Sequence, residues 1–360
     1  MALPSTGAIS LNNVNQELGK ASPYNQVVSL NDADVRTLFG IASGAIRMSD
    51  GYGKTLYSNS VTFNYTASST SWTVPAGVTS IKVRLWGGGG GTGLAANMTT
   101  VIPGGGGGFM EGIISVTPGQ TINIYTGGGG IDNVDDTCEC DPDNDYVTRV
   151  ANNFGTGGEK SIVSVGGWAT TTNSLDYIIS GGGGGGSSGA GGAGGGSTGG
   201  SGGSFSTQTG GTGGITGEVG AGAGGTGFSS GSLWQNKTYI YNNTGASTNR
   251  GNGTFYCDFD SATPSAGGYG GDGFAGGGSG NAAANDIGCG GLPYGAGGGG
   301  GSSGYGRGGG YVNTPIGNGS GWTGVTNTQA SGGTAAATGN ADYTAGIANS
   351  QSNGKIVIRY

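Results

Sequence analysis

Alternation of apolar and polar positions marks out short strands along this chain. Ser80-Ile81-Lys82-Val83-Arg84-Leu85-Trp86 repeats with period two, which places Ile81, Val83 and Leu85 on one face of a strand that runs straight into Gly87 to Gly91. Phe109 to Val116 and Gln120 to Tyr125 flank Thr117-Pro118-Gly119, whose Pro-then-Gly order suits a type II turn, so the pair reads as a hairpin. Near the other end, Lys355 to Tyr360 put Ile356, Ile358 and Tyr360 on a single face. Such a strand needs a sheet to join, and the strands left to pair with lie far upstream. The residues between are therefore predicted to loop out from one domain rather than to separate two.

The first 55 residues follow a different period. Ser10-Leu-Asn-Asn-Val-Asn-Gln-Glu-Leu-Gly19 and Ser29-Leu-Asn-Asp-Ala-Asp-Val-Arg-Thr-Leu-Phe-Gly40 each read as an Asn or Asp cap, a short helix with apolar positions three to four apart, and a Gly stop. Ala45 to Gly53 reads as a short strand and a turn. A module this small is marginal alone and is expected to dock on something larger.

Composition changes the picture more than any motif. Of 91 glycines, 60 fall between Gly181 and Asn340. Glycine loses the most backbone entropy on ordering, so one reading is a flexible linker. The other is a packed lattice of extended, left-handed glycine helices with about three residues per turn. Such helices leave every N–H and C=O pointing sideways, and each must find a partner on a neighbouring helix. Strand-like pieces on both sides of the glycine favour the lattice, and nine prolines without a strict G-X-Y repeat argue against collagen. The predicted fold is mainly β with a polyglycine II helix lattice. A small helical module over 1–57 precedes a glycine-rich, β-sandwich-like domain over 58–360, with strands in 61–126, polyglycine in 181–340 and a terminal strand at 355–360.

A formal charge of -7, with only 9% charged residues, argues against nucleic-acid binding. No apolar run is long enough to insert into a membrane, and the start lacks the cationic and apolar segments of a secretory signal, so synthesis in a cytoplasm is expected. Cys138, Cys140, Cys257 and Cys289 leave free thiols, disulfides and a structural metal site all open. With no His, the Ser-His-Asp and Cys-His schemes are excluded. Asp141, Asp143 and Asp145 close an acidic series that begins at Asp132. Alternate carboxylates can converge on calcium, but Tyr146 and Asn152 stand where the helix-loop-helix pattern needs Gly and Glu, so a solvated acidic loop is the other reading. Asp258 and Asp260 are a weak glycosidase-like pair, and no enzymatic activity is expected.

Two sets of residues carry a family resemblance. GAISLNNVNQELG and VSLNDADVRTLFGIASGAIRMSDGYGKT, over nearly all of residues 1 to 55, resemble a module at the N-terminus of many tailed-bacteriophage structural and tail-fibre proteins. VPAGVTSIKVRLWGGGGG, GGFMEGIISVTPGQTINIYTGGGG, YIISGGGGGG and NGKIVIRY are similar to glycine-rich domains of phage fibre and adhesin proteins. That resemblance implies stacked polyglycine helices whose intervening loops meet a host receptor. The acidic stretch Cys138 to Asp145 departs from the family pattern.

The expected function is thus a tail-fibre or fibre-tip protein that binds a bacterial surface receptor, either protein or polysaccharide. It would be located in the virion, joined to other virion proteins through residues 1–57 and homo-oligomeric. Glycine offers no side chain to read a ligand, so recognition should lie where glycine is interrupted. Phe228 to Ala266 is the most distinctive interruption, a candidate hairpin bearing Trp234, Tyr239, Tyr241 and Tyr256. These aromatics equally suit a cap on the lattice flank. A structural collar, baseplate or head-decoration component and a surface-polysaccharide hydrolase are the alternative functions.

Overall fold

A computed structural model describes residues 3–18, 27–95, 100–132, 136–140, 147–151, 155–165, 175–204, 210–214, 255–256, 265–266, 270, 282–284, 293–295, 297–308 and 321–360. The N-terminal segment forms helices α1 (Leu11–Glu17) and α2 (Ala33–Phe39) and a 3-10 turn over Met48–Gly51. Helix α1 is capped by Ser10 rather than by Asn: its hydroxyl accepts from Asn13 N at 3.1 Å while Asn13 Oδ1 accepts from Ser10 N at 2.9 Å. Asp32 stands at the N-cap of α2 without a capping side-chain bond, its carboxylate accepting from Ser29 N at 2.9 Å instead, and Gly40 ends the helix at φ +73°, the left-handed conformation a glycine stop supplies. The stretch 45–53 is not a strand, because the Asp50 carboxylate accepts from Arg47 N at 2.7 Å and closes the 3-10 turn. Leu3, Val14, Val28, Val35, Leu38 and Phe39 make this segment's own core.

The strands run in order β1 (Ser60–Asn64), β2 (Thr70–Thr73), β3 (Ser80–Trp86), β4 (Gly93–Leu94), β5 (Val101–Ile102), β6 (Phe109–Ser115), β7 (Thr121–Tyr125), β8 (Asp136–Cys140), β9 (Val147–Ala151), β10 (Ser161–Val165), β11 (Leu175–Ser180), β12 (Phe255–Tyr256), β13 (Ser265–Ala266), β14 (Ala282–Ala284), β15 (Pro293–Gly295), β16 (Gly304–Gly308), β17 (Thr323–Thr328) and β18 (Lys355–Arg359). The protein is mainly β. Two five-stranded antiparallel sheets have the orders β1-β18-β3-β6-β17 and β16-β11-β10-β7-β2. The strand at 355–359 lies inside the first sheet, pairing Ile358 with Val61 on one side and with Val83 on the other. One apolar cluster takes Ile81, Val83, Leu85, Met110, Ile356 and Ile358 from the first sheet and Ile122, Ile124, Val163 and Ile178 from the second. Among the described residues no helix is long and apolar enough to cross a membrane.

The turn at Pro118-Gly119 forms as expected, with Gln120 N donating to Thr117 O at 2.9 Å and Gly119 at φ +82°. The strands it joins do not pair. β6 bonds to β3 and β17 while β7 bonds to β10 and β2, so the turn arches from one sheet to the other. Apolar residues line both strands, and facing across a core buries more apolar area than lying side by side.

The second face of β3 is also buried. Lys82 and Arg84 are 1% and 2% exposed, because two segments cover them. The N-terminal module places the buried Glu17 carboxylate 4.0 Å from Lys82 Nζ, and the Tyr57 hydroxyl lies 3.2 Å from Ser80 Oγ. Residues 330–354 cover the rest and form no glycine run. Trp86 Nε1 donates to Ala336 O at 3.0 Å, and Ala330, Ala335, Ala336 and Ala348 pack with Trp86 and Phe109.

Arg84 pairs with Glu111 and with Asp342, and Arg359 Nε donates to Asp342 Oδ2 at 2.7 Å. Burial alone would raise the Asp342 carboxyl, but hydrogen bonds from Arg359 and Arg84 outweigh it and hold the group at about 2, below its usual 3.8. A carboxyl depressed on folding stabilises the fold above its unfolded pKa, and that contribution is lost as pH falls toward 2. Asp342→Asn should therefore cost about 1–2 kcal/mol at pH 7, allowing for solvent screening, and almost nothing near pH 2. Denaturant melts of both proteins across that pH range measure the difference.

Beyond the strands the glycine runs bond to one another through the backbone. Gly88 and Gly91 donate to Glu159 O and Thr156 O, both at 2.8 Å, while Gly87 and Gly90 donate to Gly108 O and Gly105 O. The carbonyls of Gly88 and Gly91 accept from Gly183 and Gly186. Each neighbour is thus met at every third residue. A Cβ on Gly183 would stand 1.9 Å from Gly105 O, a separation only a residue without a side chain permits.

Candidate functional site at the ends of the glycine runs

The glycine runs carry the chain away from the sheets and then turn back. β3 continues as 87–91, excursion 92–103 follows, and 104–108 returns to β6. β7 continues as 127–130, the chain leaves through 131–154, and 155–158 returns to β10. These exits lie at one level. Gly91 N donates to Thr156 O at 2.8 Å, Gly186 N to Gly91 O at 2.9 Å and Thr156 N to Ile131 O at 3.0 Å. The N-terminal module instead touches β3 at Ser80 and Lys82, the end away from Gly87. The two ends of the glycine-rich body therefore differ in what they carry.

Excursion 215–296 separates the glycine run that ends at 214 from the one that starts at Gly297. Gly211 N donates to Gly297 O and Gly214 N to Gly300 O, both at 3.0 Å, so the run before the excursion pairs directly with the run after it. The chain re-enters at Gly297, which donates to Gly203 O at 2.9 Å, beside the Gly203 to Ala190 bond of 2.7 Å. Within the excursion the described backbone comprises two small antiparallel pairs, β12 with β13 and β14 with β15.

Of the aromatics predicted to read a ligand, Trp234, Tyr239 and Tyr241 lie outside the described residues. Tyr256 sits in β12 opposite Ser265. Asp141, Asp143 and Asp145, Cys257 and Cys289, and Asp258 and Asp260 also lie outside the described residues. Cys138 and Cys140 fall on β8, at register positions opposite Arg149 and Val147 of β9. In sequence the acidic series falls within excursion 131–154, whose described part holds the paired strands β8 and β9 and whose base is closed by Ile131 and Thr156. Its first member, Asp132, is used locally: one oxygen accepts from Thr92 N at 2.9 Å and the other from the Gln351 amide, whose nitrogen also donates to Thr92 Oγ1 at 2.8 Å. This three-way contact ties excursions 92–103 and 131–154 to the loop before β18. Gln351 makes it from a left-handed backbone, φ +69°.

Sequence reasoning missed two residues at this end. Val101 on β5 and Ile131 are exposed large apolar side chains, 60% and 69% accessible, one on each of the two neighbouring excursions. Single exposed apolar residues are ordinary, but these two lie at the same end of one body and add to its exposed apolar surface. The available signal was position: each lies in or beside an interruption of glycine.

Two comparisons bear on identity. No curated protein matches the chain. Residues 65–174, which contain β2 through β10 and the glycine runs between them, match the family described as Glycine-rich domain.

Proposed function

We propose that this chain is a virion protein of a tailed bacteriophage, a tail-fibre or fibre-tip component that binds a receptor on the bacterial surface without catalysis. In this reading residues 1–57 attach the protein to other virion proteins, and the interruptions of glycine meet the host. The glycine runs are polyglycine II helices stacked as a lattice that prolongs a sandwich of two sheets. The recurrence of each hydrogen-bonding neighbour at every third residue supports that helix type, since about three residues make one turn. The observation that carries the functional reading is the polarity of the body: the module docks at Ser80 and Lys82, while excursions 92–103 and 131–154 open at the far end of the glycine runs. Attachment and display are then separated along one rigid axis.

The test measures host-cell binding and incorporation into particles for three proteins. The full chain should bind host cells. Removing residues 1–55 should leave that binding and abolish incorporation, whereas replacing Trp234, Tyr239 and Tyr241 with Ala should do the reverse. Aromatic anchors commonly supply about 2 kcal/mol each, roughly a thirtyfold loss of affinity per residue. A full chain that enters particles but binds no host cell would make the protein a structural virion component instead. Release of reducing sugar from host capsule would overturn the non-enzymatic reading.

A further inference from the structure

Strand β1 closes one edge of the first sheet, and its free side has a defined pattern. Asn59 and Tyr360 exchange both backbone bonds at 3.0 Å, which fixes the parity of the β1–β18 ladder. Val61 and Phe63 are in phase with Asn59 and spend their N–H and C=O groups inward on β18. Ser60, Thr62 and Asn64 turn theirs outward, and all three residues are exposed.

Natural edges are usually blunted by a charge, a proline or a bulge. Ser60-Val-Thr-Phe-Asn64 has none of these. The opposite edge of the same sheet, β17, does carry a register shift between Thr323 and Thr326. The sheet is therefore protected on one side only.

We infer that β1 is a self-association edge: a second copy of this chain pairs its β1 antiparallel to the first, centred on Thr62. One register satisfies every constraint. Thr62 opposite Thr62, with Ser60 opposite Asn64, makes each outward group part of a hydrogen-bonded pair. On the other face the same register sets Val61 opposite Phe63 of the second copy. Both are half-buried residues at the margin of the apolar cluster, and a β-branched–aromatic cross-strand pair completes their burial. No charged side chain meets another across this strand pair, and the arrangement is isologous, so it stops at two copies. The first sheets of the two copies become one continuous sheet, with a loop-bearing end of the glycine body at each extremity. The inference stands independently of the receptor-binding reading.

The test is the mass in solution. The full chain should sediment at twice 34.7 kDa. Thr62→Pro removes one outward N–H and no bond within the chain, so it should give a monomer with unchanged circular dichroism. Thr62→Lys and Thr62→Glu should each be monomeric at low salt, because like charges then face each other across the axis, and mixing the two should restore a dimer. This charge-swap pair also carries the test if the proline variant fails to fold. A wild-type monomer at every concentration, a trimer, or a dimer indifferent to all three substitutions would overturn the inference.

Discussion

Gly183→Val should abolish folding. The new Cβ would fall 1.9 Å from Gly105 O and 2.4 Å from Gly105 C, and both are backbone atoms that no rotamer change can move aside. Separating the two runs by the necessary ångström or more breaks ordered bonds on several sides. Gly183 N donates to Gly88 O at 3.0 Å, and its carbonyl accepts from Gly158 N at 2.8 Å. A buried backbone group left unpaired costs about 1–3 kcal/mol, so losing a handful approaches the whole stability of a typical domain, about 5–15 kcal/mol. Gly194→Val should behave alike, with Gly182 O 2.5 Å from its Cβ and a bond from Gly194 N to Gly106 O at 2.8 Å. Gly339→Ala supplies the contrast, since a Cβ there meets nothing within 4 Å. It should change the melting temperature by a few degrees at most. Thermal unfolding of the three variants checks this, and native melting in both valine variants would mean that the runs do not pack as described.

Much of the fold was legible because the signal was local. The alternation in Lys355 to Tyr360 names a strand, and the core residues Ile356 and Ile358 are both fully buried. Period two identifies a strand but not its partner, however, and Pro118-Gly119 makes the same turn whether it closes a hairpin or an arch between sheets. The pairing of β6 and β7 was misread for that reason. The buried charges were hidden by distance as well as by type. Lys82 and Arg84 look like solvent-facing positions on a half-buried strand, and Asp342 lies 258 residues beyond Arg84. No periodicity could have announced that 330–354 folds back over β3, because a segment of turns has no repeat. At the candidate site, glycine has no side chain with which to read a ligand, and composition alone therefore points to the interruptions. That 92–103 and 131–154 open side by side is not legible in composition, since it follows from the bonds among Gly91, Ile131, Thr156 and Gly186.

Deleting Ile356 to Tyr360 should leave an insoluble or aggregating chain. β18 is an interior strand, so its loss cuts the first sheet in two: β1 bonds to no other strand, and β3 keeps only β6. Ile356, Val357 and Ile358 are 0%, 2% and 0% exposed, and burying each large apolar side chain stabilises by about 1.5–3 kcal/mol. Together that is about 5–9 kcal/mol, comparable with a domain's total stability. The deletion also removes Arg359 from Asp342 and opens the flank of β3, whose neighbours in the core are apolar, so the exposed edge becomes a template for pairing with other chains. A graded version separates packing from edge exposure. Ile358→Ala keeps the backbone ladder and should cost about 2–5 kcal/mol without aggregation at low temperature, while the deletion should aggregate at any temperature. Soluble fraction, light scattering and melting temperature distinguish the two. A soluble truncated protein with an unchanged melting temperature would mean that the sheet stands without this interior strand, and that the glycine runs are not held between strands of one domain.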